Sequence, residues 1–169
     1  MIGTPEIQVR LANQRDIDAV SALLEAQLRE HQMTPPAEAL RASIRTVIDD
    51  PRYGFILLAA GLDNVAFGVA YASSLLSFEH GGVSGWLEEL YVTPARRGQG
   101  IGSRLLERVI SIAKELGWLA LDLEVDINHE RAIALYRRHQ FLPHSRSRFY
   151  LALAADFLTG GNEGNEGKS

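Results

Sequence analysis

Hydrophobic and polar positions alternate over residues 7–11, as Ile7, Gln8, Val9, Arg10 and Leu11. A period of two predicts a strand. The period then lengthens. Ile17, Val20, Leu23, Leu24 and Leu28 recur at helical spacing, which predicts an amphipathic helix with Asn13 or Asp16 as its cap. Pro35 and Pro36 hold residues 31–36 in an extended break. A second amphipathic helix fills 37–48 and stops at Asp49, Asp50 and Pro51. Three strands follow, at 53–60, 65–76 and 83–93, joined by a turn at 61–64 and a loop at 77–82. Connections this short predict antiparallel neighbours.

Beyond residue 93 the pattern changes. Residues 100–117 put Leu105, Leu106, Val109, Ile112, Ala113 and Leu116 on one face. Arg104, Glu107, Arg108, Lys114 and Glu115 lie on the other, so this is a third helix. A largely apolar strand at 119–125, a helix at 128–139 and closing strands at 141–142 and 148–153 complete the order. The result is an α/β (α+β) architecture: one domain over 1–158, with a mixed, mostly antiparallel sheet of six or seven strands and four helices on its faces. Residues 159–169 contain no apolar side chain and are expected to form a disordered tail.

Composition narrows the chemistry. The net charge of -4 gives no basic footprint for nucleic acid. The chain has no cysteine, so disulfides, thiolate metal sites and a cysteine nucleophile are excluded. The five histidines form no pair at metal spacing, and no metal is expected. No apolar run approaches the roughly 18 residues of a membrane span, and residues 1–10 lack a signal pattern. A cytoplasmic chain with no membrane or nucleic-acid partner is the expectation.

The most informative stretch runs from Leu87-Glu88-Glu89-Leu90-Tyr91-Val92 through Arg96-Arg97-Gly98-Gln99-Gly100-Ile101-Gly102. It passes from a strand, through a basic glycine-rich turn, into a helix. Glycines let successive N–H groups converge, and a helix N-terminus adds partial positive charge. The product is an anion site suited to phosphate or pyrophosphate. A P-loop is excluded because Ser103-Arg104 follows Gly102. The Gly98-x-Gly100-x-Gly102 spacing also departs from the dinucleotide fingerprint, although Asp122 lies about 20 residues on, and that fingerprint belongs to a leading βαβ unit.

The remaining pattern is R-x-x-G-x-G, met by Arg97, Gly100 and Gly102. Here the sequence resembles the GNAT superfamily of acetyl-CoA-dependent N-acetyltransferases over about residues 6–153, most closely its polyamine and small-amine branch. The segment Asn128-His129-Glu130-Arg131-Ala132-Ile133-Ala134-Leu135-Tyr136 is similar to the family's N…A…LY helix. The resemblance implies acetyl-CoA as cosubstrate and a primary amine, small and cationic, as acceptor. It also implies a homodimer. The coenzyme pyrophosphate would rest on backbone N–H groups of Arg97, Gly98, Gln99, Gly100, Ile101 and Gly102, with the Ser103 hydroxyl nearby. The pantetheine arm would pair with Leu90, Tyr91 and Val92, where the strand would splay from its parallel neighbour at a bulge. Asn128 would contact the coenzyme and is also placed to cap its helix.

Acetyl transfer poses two proton problems. An amine with a pKa near 10 is mostly charged at pH 7, and the departing thiolate is better released as a thiol. Neighbouring Glu88 and Glu89 face opposite sides of their strand, so one of them meets the acceptor. The resemblance assigns the base to Glu88 and the acid beside the coenzyme sulfur to Tyr136. The absence of cysteine makes direct transfer in a ternary complex the simplest route. The turn at 31–36 and the loop at 77–82 are placed to shape the acceptor pocket, and Glu79, Glu88 and Glu89 suit a cationic amine. A catalytically silent acetyl-CoA sensor is the alternative. One departure from the family pattern is Gln140 where Gly is usual; a left-handed helix end is expected there, at about 1 kcal/mol.

Overall fold

The structure is a computed structural model that describes residues 7–146, 148–151 and 153. The first strand, β1 (Gln8–Leu11), precedes a short 3-10 turn at Gln14–Asp16. Asn13 caps that turn: its side chain accepts from the Arg15 N–H, and the Asp16 carboxylate accepts back from the Asn13 N–H. Asp16 holds the cap position of the helix that follows but makes no side-chain cap bond to it. Helices α1 (Ile17–Glu30) and α2 (Ala37–Asp49) follow. The proline break between them stands where the sequence puts it.

Strands β2 (Phe55–Ala60), β3 (Ala66–Ser77) and β4 (Gly82–Val92) form an antiparallel meander. Helix α3 (Ile101–Glu115) crosses over to β5 (Leu121–Leu123), and α4 (Glu130–Arg138) comes next. The order β1-β2-β3-β4-β5 is antiparallel except for the last pair, which is parallel. A parallel neighbour needs such a crossover helix.

The sheet is covered on both faces. Val20, Leu23 and Leu24 of α1 and Ile44 of α2 pack on Ile56, Leu58, Val69 and Tyr91. Ile101, Leu105, Leu106, Val109 and Ile112 of α3 pack on Leu57, Ala59, Ala70, Ala72 and Leu87. Strand β2 is buried along its whole length, which explains why Phe55-Ile-Leu-Leu-Ala-Ala shows no alternation.

The mixed sheet with four helices matches the sequence expectation, but the described residues contain five strands, not six or seven. Residues 141–146 and 148–151 form no strand. Gln140 takes a left-handed φ of 67°, as expected, and turns the chain. Beyond it, Arg146 pairs with Glu79 and Arg148 with Glu124, so side chains and not a ladder hold this segment. Residues 147 and 152, and the tail expected at 159–169, lie outside the described residues.

Gly85 is the tightest point where β4 meets β5. A Cβ there would lie 2.0 Å from Cζ3 of Trp118, and Gly85 itself pairs with Leu121. Gly85→Ala is expected to cost about 2–3 kcal/mol, the range of core overpacking, read as a lower urea midpoint.

Candidate active site

The site begins where two strands part. The register of β4 against β3 slips between Tyr71 and Ala72: Glu89 stands opposite Tyr71, but Leu87 stands opposite Ala72. Glu88 is therefore the extra residue of a bulge, which bends its strand. On the other edge, β4 pairs with β5 only at Gly85, Trp86 and Leu87. Past Leu87 the strand continues to Val92 with no ladder partner on that side among the described residues. This is the splay expected at Leu90, Tyr91 and Val92, and it leaves backbone groups free for an extended ligand.

Val92 leads into a 3-10 turn at Pro94–Arg96 and then the glycine loop. Gly98 and Gly100 take φ of 79° and 78°, left-handed values that glycine adopts without steric penalty. Among the described residues, the N–H groups of Gly98, Gln99, Gly100, Ile101, Gly102 and Ser103 take no hydrogen-bond partner; the first bond of the helix is Arg104 N–H to Gly100 O, 3.1 Å. These donors crowd one helix end, as an anion site requires.

Arg97 corrects the sequence expectation in one respect. Its N–H already donates to Pro94 O at 3.3 Å, so it is not one of the free donors. Its side chain turns away from the loop, donating Nε–H to Val92 O at 2.8 Å and Nη2–H to Glu30 Oε1 and Oε2 at 2.7 and 2.8 Å. Asn128 needs a second correction. It does not cap α4, because His129 occupies the cap position. The Asn128 N–H instead donates to Asp126 Oδ1 at 2.8 Å, and its side chain is exposed.

Helix α4 lies across the start of α3. Leu135 packs beside Gly102, with Cδ2 3.6 Å from where a Cβ would be. One turn earlier, Arg131 Nη2 stands 3.5 Å from the corresponding point on Gly98. One turn later, His139 Nε2 is 2.7 Å from Ser103 Oγ. The four-residue spacing of Arg131, Leu135 and His139 marks one helix face. Arg131 and His139 carry no assigned role in the sequence reading, although that spacing is visible there.

Glu88 and Glu89 have different surroundings. Glu88 is exposed and accepts from Ser73 Oγ at 2.9 Å. Glu89 is half-buried, and burial, followed by the charge of Glu88, raises its carboxyl to about 7. Tyr136 is half-buried too and packs edge-on against Phe141, ring centroids 5.7 Å apart. Burial, followed by the charge of Glu89, raises its phenol to about 12. The phenol therefore stays protonated at neutral pH.

In the loop at 77–82, Glu79 is held by Arg146, while His80 Nε2 lies 2.9 Å from Asp122 Oδ2. Among the described residues, no group of three His, Asp or Glu is arranged to hold a metal. No described helix is long and apolar enough to cross a membrane.

The model of the acetyltransferase (GNAT) family matches residues 17–141. The chain belongs to the GNAT family. An IAA acetyltransferase from Azospirillum brasilense is 30% identical over 124 residues, 73% of this chain and 77% of the relative. A thialysine N-epsilon-acetyltransferase from Bos taurus is 42% identical over 52 residues, and that match spans only 31% of each protein. Among solved structures, an integron cassette protein from the Cole Harbour salt marsh metagenome has a TM-score of 0.78 at 27% identity, covering 89% of this chain and 93% of that one. An aminoglycoside N-acetyltransferase solved in complex with CoA has a TM-score of 0.76 at 19% identity, with 91% and 99% covered, and so shares the fold.

The displaced Glu89 carboxyl has a consequence for stability. Its ordinary value is 4.5 and its folded value about 7, so between these limits the folded chain binds more protons than the unfolded one, and stability falls as pH rises. Above pH 7 the full penalty of a buried charge is present. Glu89→Gln is expected to stabilise the protein by about 1–2 kcal/mol at pH 8 and by almost nothing at pH 4, measured by urea unfolding at both values.

Proposed function

We propose that this GNAT protein transfers an acetyl group from acetyl-CoA to a primary amine, directly, in a ternary complex. The observation that carries the reading is the run of unpartnered N–H groups at 98–103, set beside a β4 edge that loses its ladder partner after Leu87. Pyrophosphate fits the first. Arg131, whose Nη2 stands 3.5 Å from where a Cβ on Gly98 would lie, would add a cation, and the Ser103 hydroxyl and Asn128 would be further contacts. The extended pantetheine arm fits the second, with Leu90 and Val92 as its backbone partners; the backbone of Tyr91, expected to take part, pairs across to Val69 of β3 instead. There a β4 N–H would face the thioester oxygen and stabilise the negative charge that develops on it.

The amine nitrogen attacks the carbonyl carbon, a C–N bond forms and the C–S bond breaks. The nitrogen sheds two protons overall; one reaches solvent through a base and one ends on sulfur. Glu88, the base by resemblance, lies exposed beside Ser73 and is suited to receiving a cationic acceptor. Glu89, with its carboxyl at about 7, is better matched to accepting a proton at neutral pH and releasing it again. We therefore assign the base to Glu89 and acceptor recognition to Glu88. Tyr136 donates to the departing sulfur. A phenol at about 12 is a weak acid, but part of that elevation comes from the charge of Glu89. Once Glu89 carries the amine proton, that contribution disappears and Tyr136 becomes a stronger acid as the thiolate departs.

We assign the acceptor side to the connections at 31–36 and 77–82. Exposed Glu88 favours a small cationic amine, and the similarity to thialysine N-epsilon-acetyltransferases supports that class.

Thiol release from acetyl-CoA against a panel of amines tests the proposal, and the absence of cysteine leaves no protein background. Glu89→Gln is expected to lower kcat about 10²- to 10³-fold and Tyr136→Phe about 10²-fold, the usual range for an acid or base. The wild-type rate should rise with pH through about 7, and this limb should vanish in Glu89→Gln. Coenzyme binding with no release for any amine would favour a silent sensor. A full effect at Glu88→Gln with none at Glu89→Gln would return the base to Glu88.

A further inference from the structure

Glu30 is out of place by the rules of helix electrostatics. It is the last residue of α1, where the helix end carries partial negative charge and an acid is unfavourable. A residue that breaks a local rule points to a demand elsewhere in the structure. Three contacts account for it. Arg97 donates to both of its carboxylate oxygens, at 2.7 and 2.8 Å. Tyr91 donates its hydroxyl to Oε1 at 3.2 Å. The same guanidinium stacks over the Tyr91 ring, 5.3 Å from its centroid, and its Nε–H donates to Val92 O.

The pair has little to give to stability. The Glu30 and Arg97 side chains are 43% and 37% exposed, and ion pairs at that exposure are weak. It has much to give to geometry. A bidentate guanidinium–carboxylate contact fixes orientation as well as distance. Arg97 immediately precedes Gly98, the first free donor of the loop, and Glu30 immediately precedes residues 31–36.

We propose that Glu30 is a positioning residue for the coenzyme loop: by gripping Arg97 it holds the N–H groups of 98–103 in their converging arrangement and joins that loop to the acceptor-side connection after α1. The inference rests on the acetyl-CoA reading above. The arginine of the R-x-x-G-x-G pattern then works through α1, and its charge is turned away from the anion. Order imposed on the loop by the coenzyme passes to residues 31–34 through one side-chain pair.

Glu30→Gln keeps the shape and removes the charge; Arg97→Lys keeps the charge and removes the fork. Each is expected to raise the acetyl-CoA dissociation constant about 5- to 20-fold, to raise the KM for acetyl-CoA by a similar factor with a smaller fall in kcat, and to leave the melting temperature within about 2 °C. The double variant should be no worse than either single one, because both break the same contact. Amide hydrogen exchange supplies the second readout. Acetyl-CoA should slow exchange at 98–103 and at 31–34 in the wild type, and only at 98–103 in Glu30→Gln. Equal affinity and equal protection in wild type and Glu30→Gln would overturn the inference while leaving the coenzyme site standing. No protection at 98–103 in the wild type would overturn the coenzyme reading, and the inference with it.

Discussion

The site depends on the early end of one ladder. Strand β4 is eleven residues long, and only three of them pair with β5. A sheet that kept pairing would satisfy the backbone of Glu88 to Val92 internally and offer nothing to a ligand. The bulge at Glu88 bends β4 where the pairing stops, so its edge stays open. An open edge is a liability in a folded chain, and a bound extended molecule with its own amide groups is a natural partner for it.

The same parting arranges the charges. Leu87 packs in the α3 core and Tyr91 in the α1 core, which anchors the strand on both sides of the bulge. Between these anchors, Glu88 opens to solvent and Glu89 is partly enclosed. Burial, followed by the neighbouring charge of Glu88, is what lifts the Glu89 carboxyl to about 7. The glycine loop begins six residues after Val92 because the chain must reverse into α3, and left-handed Gly98 and Gly100 make that reversal with their donors unpaired. The anion site, the open edge and the half-buried acid are therefore consequences of one stretch of about fifteen residues.

Much of this is legible in the sequence. Helical spacing in α1, α2 and α3, the proline break and the left-handed Gln140 follow from local rules. The closing strands do not, because a short apolar run such as Phe149-Tyr150-Leu151 specifies a strand only when an edge receives it, and here Arg146 and Arg148 make side-chain contacts instead. The loop donors are readable from Gly98 and Gly100, whereas the direction of the Arg97 side chain is not, since its partner lies 67 positions away at Glu30. The difference between Glu88 and Glu89 is hidden for a similar reason: alternation says that they face opposite sides, but the bulge and the depth of burial decide which one is desolvated. Asn128 misleads as a cap because the helix begins one residue later, with His129 at the cap position.

We propose that the N–H groups at 98–103 and the unpaired edge of β4 form a single coenzyme site. A titration of isotopically labelled protein with coenzyme A, followed by amide NMR shifts, tests it most directly. Saturable shifts are expected at Gly98 to Ser103 together with shifts at Glu89 to Val92. Shifts concentrated elsewhere, or movement of the loop amides without any response from β4, would contradict it.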